Sequence, residues 1–266
     1  MLKNLQIEWM KIKNYRVFQV FSILYLLGIL VIIYIFYRLY LNFIGTLQSA
    51  VTGNPDTEGS DIFQLFGPRN IWKTVCFATS FLLYLPGMII INLFINEVNF
   101  KTHRQNIIDG WKRETFIYTK ISLIACMSLV ITIMNFFAVM IMFKVTDSSI
   151  SFAGIDVLGL SFLQTFIYLM FALLLATFFR RSGVAIIVFF IYGLILEWLL
   201  VWLLEKLAPG AGFFLPLQVA DSLVTFPKME RMFKSLPGIQ YILPAALAFA
   251  GAYIYLTVRK YKHDDL

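Results

Sequence analysis

The 266-residue chain has little charge: Asp, Glu, Lys and Arg together make up 14%. Soluble domains carry about 25%. That shortage excludes a soluble globular enzyme, a disordered protein and a nucleic-acid-binding domain. Cysteine is scarce too. Cys76 and Cys126 lie in apolar blocks with no spacing pattern, so they read as small buried hydrophobes and give no sign of a disulfide or metal site. The only histidines are His103 and His263, in polar segments, which argues against a histidine-held metal. The sequence has no G-x-x-x-x-G-K-[ST] phosphate loop, no H-E-x-x-H and no G-x-S-x-G, so it has no ATP site of its own and no recognisable catalytic set. We expect no enzyme activity and no cofactor in this chain.

What the chain has is apolar sequence. Hydrophobic residues reach 60% and mean hydropathy is +0.79. A membrane helix needs about 20 apolar residues, because each adds about 1.5 Å across a core about 30 Å thick. Six blocks qualify: residues 17–37, 71–94, 116–143, 157–179, 184–204 and 241–258. Backbone groups in hydrocarbon must be satisfied within their own segment, so each block is expected to be helical. The first is too long for a signal-peptide core and has no small-residue cleavage site close behind it, so it reads as a retained helix. The expected fold is an all-α polytopic membrane protein, a single domain over residues 1–266.

Orientation follows from the basic residues. The segments before the first span, between spans two and three (counted as residues 96–120, so that Lys120 reads as a loop charge), between four and five, and after six hold fourteen of the 22 Lys and Arg. That side is expected to be cytoplasmic, with both termini inside. The loop between spans five and six, with Lys206, Lys228, Arg231 and Lys234, weakens the bias.

Three segments outside the spans have character. At residues 1–16, Leu2, Leu5, Trp9 and Ile12 recur at helical spacing. Lys3, Asn4, Glu8, Lys11 and Lys13 take the remaining surface, so an amphipathic interfacial helix is expected, with Trp9 at headgroup depth. In residues 102–114, Thr102 and Gln105 fit a capping box, and Gly110 is placed to end a helix of about two turns. Ile107, Ile108 and Trp111 would be its apolar contacts, packed on the spans or docked on a partner. Residues 205–238 combine an apolar stretch too short to cross with Met229, Met232, Phe233 and Leu236 at helical spacing. A re-entrant turn and an outer amphipathic helix are expected there. Residues 41–70 read as an outer loop with a turn at Gly53-Asn54-Pro55-Asp56.

Within the spans, Glu197 is the one acid well inside and a functional candidate by default. Its alternatives are a place near the interface, which Trp198 and Trp202 would suit, or a bond to a neighbouring helix. Asn92, Asn135 and Gln164 can bond between helices, and Ala246, Ala248, Ala250 and Ala252 suit close packing. Pro86-Gly87 and Pro244 should kink their helices.

This arrangement resembles the permease subunit of type-2 ATP-binding-cassette exporters of bacteria, over essentially the whole chain. The most specific part is Asn96-Glu97 followed by Thr102-His103-Arg104-Gln105-Asn106-Ile107-Ile108-Asp109-Gly110, then Arg113-Glu114. This is similar to the segment that closes span two and forms the coupling helix. Phe178-Phe179-Arg180-Arg181-Ser182-Gly183 is similar to the usual turn between spans four and five.

The resemblance implies that residues Arg104–Glu114 dock into a separate ATPase subunit. It implies that Glu97 anchors the coupling helix, that residues 1–16 form an elbow helix and that the outer loop gates an exit. ATP and Mg would sit on the partner, and two permease copies, identical or not, would pair in the bacterial inner membrane. The substrate does not carry over. Alternatives stay open: an ATPase-linked complex for immunity, sensing or force transmission, a passive channel, or a membrane enzyme.

Overall fold

The computed structural model describes residues 2–13, 15–50, 66–102, 113–227 and 236–263. All regular structure among them is helical. Ten helices follow in order: α1 (Leu2–Lys13), α2 (Arg16–Ala50), α3 (Pro68–Ser80), α4 (Tyr84–Asn99), α5 (Arg113–Val145), α6 (Asp156–Phe179), α7 (Ser182–Ile191), α8 (Glu197–Leu207), α9 (Gln218–Asp221) and α10 (Ile239–His263). A 3₁₀ turn at Phe81–Leu83 joins α3 to α4, and a π turn at Tyr192–Leu196 joins α7 to α8. Six helical stretches are long and apolar enough to cross a membrane: Arg16–Asn42, Pro68–Asn99, Glu114–Val145, Asp156–Phe179, Ser182–Leu207 and Ile239–Lys262. Each contains one of the six expected blocks.

Helix α6 is the centre of the bundle. Its sequence is apolar on every side, as a helix enclosed by others must be. It packs against α3, α4, α5, α7 and α10, and Ile167, Leu169, Met170, Ala172 and Leu173 are fully enclosed. The outer faces are apolar as well: Ile23, Leu30, Phe137, Ile187 and Leu199 are all exposed. Apolar surface spread around a whole bundle is not tolerated in water. The chain is a multi-pass membrane protein.

Several boundaries differ from expectation, each for a local reason. Helix α2 runs to Ala50, past the expected end at residue 37, because no proline interrupts it before Pro55. The break in span two falls at Phe81–Leu83, one turn before Pro86. Proline has no N–H for the carbonyl four residues back, here Leu82, and its ring crowds that carbonyl. Gly87 has a separate role. A Cβ there would lie 2.5 Å from the Phe189 ring, so glycine lets α4 approach α7. Span five is a continuous helix only if its π turn is counted, and Gly193 in that turn lies against the Tyr84 side chain. Span four ends on Arg180 in the left-handed region, φ 50°, and α7 starts two residues later, giving the tight basic turn. Cys76 is buried, but Cys126 is exposed on the outer face. Ala246 and Ala250 are buried within the chain, while Ala248 and Ala252 are exposed.

The expected turn at residues 53–56, the short helix over 103–112 and the stripe over 228–235 lie outside the described residues.

Candidate functional site

Two polar networks sit inside this apolar bundle, one at each end. The first lies where α1, α4 and α5 meet. Lys120, in the second turn of α5, is 4% exposed, and Glu8 of α1 is 0% exposed. The Lys120 ammonium donates to the Glu8 carboxylate and, at 2.5 Å, to Glu97 Oε1 near the end of α4. Lys11 donates to the other Glu8 oxygen at 3.2 Å. Two carboxylates are thus met by two ammonium groups. A buried ion left unpaired costs several kcal/mol, and this pairing avoids that cost. Close by, Asn96 Nδ2 donates to the Tyr15 hydroxyl at 2.5 Å. The short linker between α1 and α2 is therefore also tied to α4.

This overturns the expected surface position of Glu8. Glu8 and Ile12 are four residues apart, on one face of a helix. Ile12 is 2% exposed, so that face turns inward and carries Glu8 with it. Lys120 is likewise not a loop charge but a buried member of α5. Trp9 on the other face is exposed and meets Phe18 edge-on at 6.2 Å.

Of the expected docking residues, Arg104, Gln105, Asn106, Ile107, Ile108, Asp109, Gly110, Trp111 and Lys112 lie outside the described residues. Arg113 and Glu114 open α5, the helix that forms the third span from Glu114 onward. Glu114 bonds Lys262 near the end of α10 at 2.7 Å, both of them exposed. Thr102 donates its hydroxyl back to the Glu97 carbonyl at 3.2 Å. Glu97 therefore sits at one root of the 103–112 segment, joined through Lys120 to the other.

The second network lies at the opposite end. Glu197 follows the π turn and is 1% exposed. Its Oε1 accepts from the Leu217 amide at 2.6 Å and the Gln218 amide at 2.8 Å. These amides open α9 and have no helical acceptor of their own. The carboxylate thus faces the chain between α8 and α10, and not a neighbouring span. Asp221, at the end of α9, accepts from the Tyr168 hydroxyl at 2.7 Å and from Gln164 Nε2 at 3.2 Å, both on α6. The Tyr253 hydroxyl of α10 donates to the Pro216 carbonyl at 3.2 Å. Glu205 Oε2 accepts from the Gly210 amide at 3.0 Å, where φ of +84° suits glycine. Residues 208–224 are thus pinned to α6, α8 and α10, with Phe213, Leu217, Val219 and Ala220 buried. Burial pushes the Asp221 carboxyl up to about 6, against the opposing pull of the bonds from Tyr168 and Gln164.

The remaining candidates are separate from both networks. Asn92 Nδ2 donates to the Met88 carbonyl in its own helix at 3.0 Å. Asn135 Nδ2 donates to Ser161 Oγ of α6 at 3.0 Å, a true interhelical bond. Among the described residues no three His, Cys, Asp or Glu converge on a point that could hold a metal. Neither the comparison with family models nor that with curated proteins finds a match.

Proposed function

We propose that the chain is the transmembrane permease subunit of a type-2 ATP-binding-cassette exporter, set in a bacterial inner membrane with both termini in the cytoplasm. The observation that carries this reading is the buried Glu8–Lys120–Glu97 cluster. It ties α1 to the helices that enter and leave the 103–112 segment. A load applied to that segment reaches α1, α4 and α5 together. In this reading, α1 is the elbow helix and 103–112 the core of the coupling helix, with Arg104, Trp111 and Arg113 against a separate ATPase subunit. Residues 208–224 form the outer re-entrant element. Two permease copies pair, and the partner ATPase subunits bind and hydrolyse ATP with Mg. Nucleotide-driven closure of the ATPases brings the coupling segments together and opens the permeases outward.

The test is purification of the complex from its native membrane in mild detergent. A soluble ATPase is expected at stoichiometric yield, and Trp111→Ala with Arg113→Ala should release it while the chain stays inserted. Arg104→Glu with Arg113→Glu should uncouple ATP hydrolysis from transport. No ATPase in a complex shown to be intact would overturn the reading. Outward flux of a substrate separates export from immunity, sensing or force transmission.

A further inference from the structure

A cavity of about 420 Å³ opens at the end of the bundle remote from α1. That size lies within the ~300–1,000 Å³ usual for small-molecule sites. Arg69 and Lys73 of α3, Asp156 at the start of α6, and Ser222 after α9 supply its polar groups. Leu160, Val224 and Ile242 supply apolar wall. Among the described residues, none of the three charged side chains has an ion-pair partner. Ser222, a residue of the cavity wall, is 5% exposed, and its buried hydroxyl has no hydrogen-bond partner among the described residues. A buried hydroxyl left unpartnered is costly, and a rotation that brings it to a ligand oxygen at this wall would relieve that cost.

Two cations and one carboxylate around one space, with apolar wall beside them, call for a ligand of matching pattern. It needs an anionic group for Arg69 and Lys73, a cationic group for Asp156 and an apolar tail. Arg is well suited to phosphate oxygens and Lys serves as a point charge. The N-termini of α3, α6 and α10 lie at the same rim and add positive potential. We propose that this cavity binds the head of a phospholipid carrying phosphate and a primary ammonium, from the leaflet at that end. The phosphate meets Arg69 and Lys73, the ammonium meets Asp156, Ser222 donates to a phosphate or ester oxygen, and the acyl chains leave along the apolar wall. The proposal rests on the chain lying in a bilayer and is independent of any ATPase partner.

The experiment uses the full chain, purified in detergent and stripped of lipid. It is offered equimolar phosphatidylethanolamine, phosphatidylglycerol and phosphatidylcholine of distinguishable mass, and bound lipid is read by native mass spectrometry. Wild type is expected to favour phosphatidylethanolamine over each competitor by about fivefold or more, a preference of ~1 kcal/mol. Arg69→Gln with Lys73→Gln should cut total bound lipid about tenfold. Asp156→Asn should keep lipid but lose the preference for phosphatidylethanolamine over phosphatidylglycerol. Leu160→Trp fills the apolar wall without touching a charge and should also reduce binding. Size-exclusion profile and melting temperature confirm that each variant is folded. Equal retention of lipid by the double Gln variant, or no headgroup preference in wild type, overturns the site. Displacement by free phosphoethanolamine as effective as by the lipid would show a head-only site and overturn the lipid assignment.

Discussion

Replacing Glu197 separates a carboxylate that holds the fold from one that serves chemistry. Its Oε1 is the acceptor for two amides, at 2.6 and 2.8 Å, in a place 1% exposed. Glu197→Ala orphans both. Each unsatisfied buried donor costs about 1–3 kcal/mol, so the pair costs about 2–6 kcal/mol. At roughly 2–4 °C per kcal/mol for a chain of about 200 residues, the melting temperature in detergent should fall by at least about 4 °C. Glu197→Gln keeps an oxygen acceptor in the same place and should lose about 1 kcal/mol or less. The assay is thermal unfolding followed by loss of the monodisperse species. Limited proteolysis at 208–224 should show new cuts in the Ala variant first, because that segment loses its anchor. A Gln variant as damaged as the Ala variant would refute the acceptor argument, since Gln keeps the side-chain length and one acceptor oxygen for the two amides. So would an Ala variant that melts with wild type.

Two further outcomes follow from the other buried groups. Lys120→Met leaves Glu8 and Glu97 without their shared cation, and breaking a buried pair costs about 3–5 kcal/mol. It should loosen α1, read as faster proteolysis near residue 14. The triple variant Glu8→Gln, Lys120→Met, Glu97→Gln should recover most of the loss, because no ion is stranded, and a triple variant no better than the single would contradict this. Asp221 titrates near 6 in the folded chain against 3.8 for a free carboxyl. The folded state then holds the proton more tightly between those values. Stability contributed here is full below about pH 4, falls as pH rises, and is lost above about pH 6. Asp221→Asn should flatten that part of the pH–stability curve, and an unchanged slope would remove Asp221 as its source.

The six spans were legible because a bilayer imposes length and hydropathy on sequence directly. The enclosed position of α6 was also implicit, in an apolar pattern with no polar face. Helix irregularities were partly legible. Pro86 announces a break, but only the carbonyl geometry puts it at Phe81–Leu83. The π turn before Glu197 leaves no composition signal. It depends on Gly193 accommodating Tyr84 from another helix, and sequence order does not show that pairing. Glu8 was readable and misassigned. Its residue type suggested solvent, while its spacing of four from Ile12 placed it on the buried face. Lys120, four residues inside an apolar block, was the matching signal. Asp221 and Tyr168 could not be paired from sequence, being 53 residues apart with no shared pattern.

The buried carboxylates and the buried ammonium lie at the ends of the bundle, and this bears on where anything could pass. Between the two networks the interior is filled by rings. Tyr84 stacks on Phe190 at 5.1 Å and meets Tyr168 edge-on at 5.8 Å. Phe189, 0% exposed, contacts Tyr84, Tyr168 and Phe171. Opening a polar conduit through one copy would separate these rings and expose apolar surface at about 25 cal/mol per Å², and each aromatic ring buries roughly 150–250 Å². Three rings parted would then cost on the order of 10 kcal/mol. A path along the outer face of the chain, closed by a second copy, leaves that packing intact. On energetic grounds a passive channel through a single copy is therefore the weaker alternative. The proposed reading instead moves whole bundles against each other, with the charge cluster at one end holding α1, α4 and α5 together and the pinned segment 208–224 bracing the other.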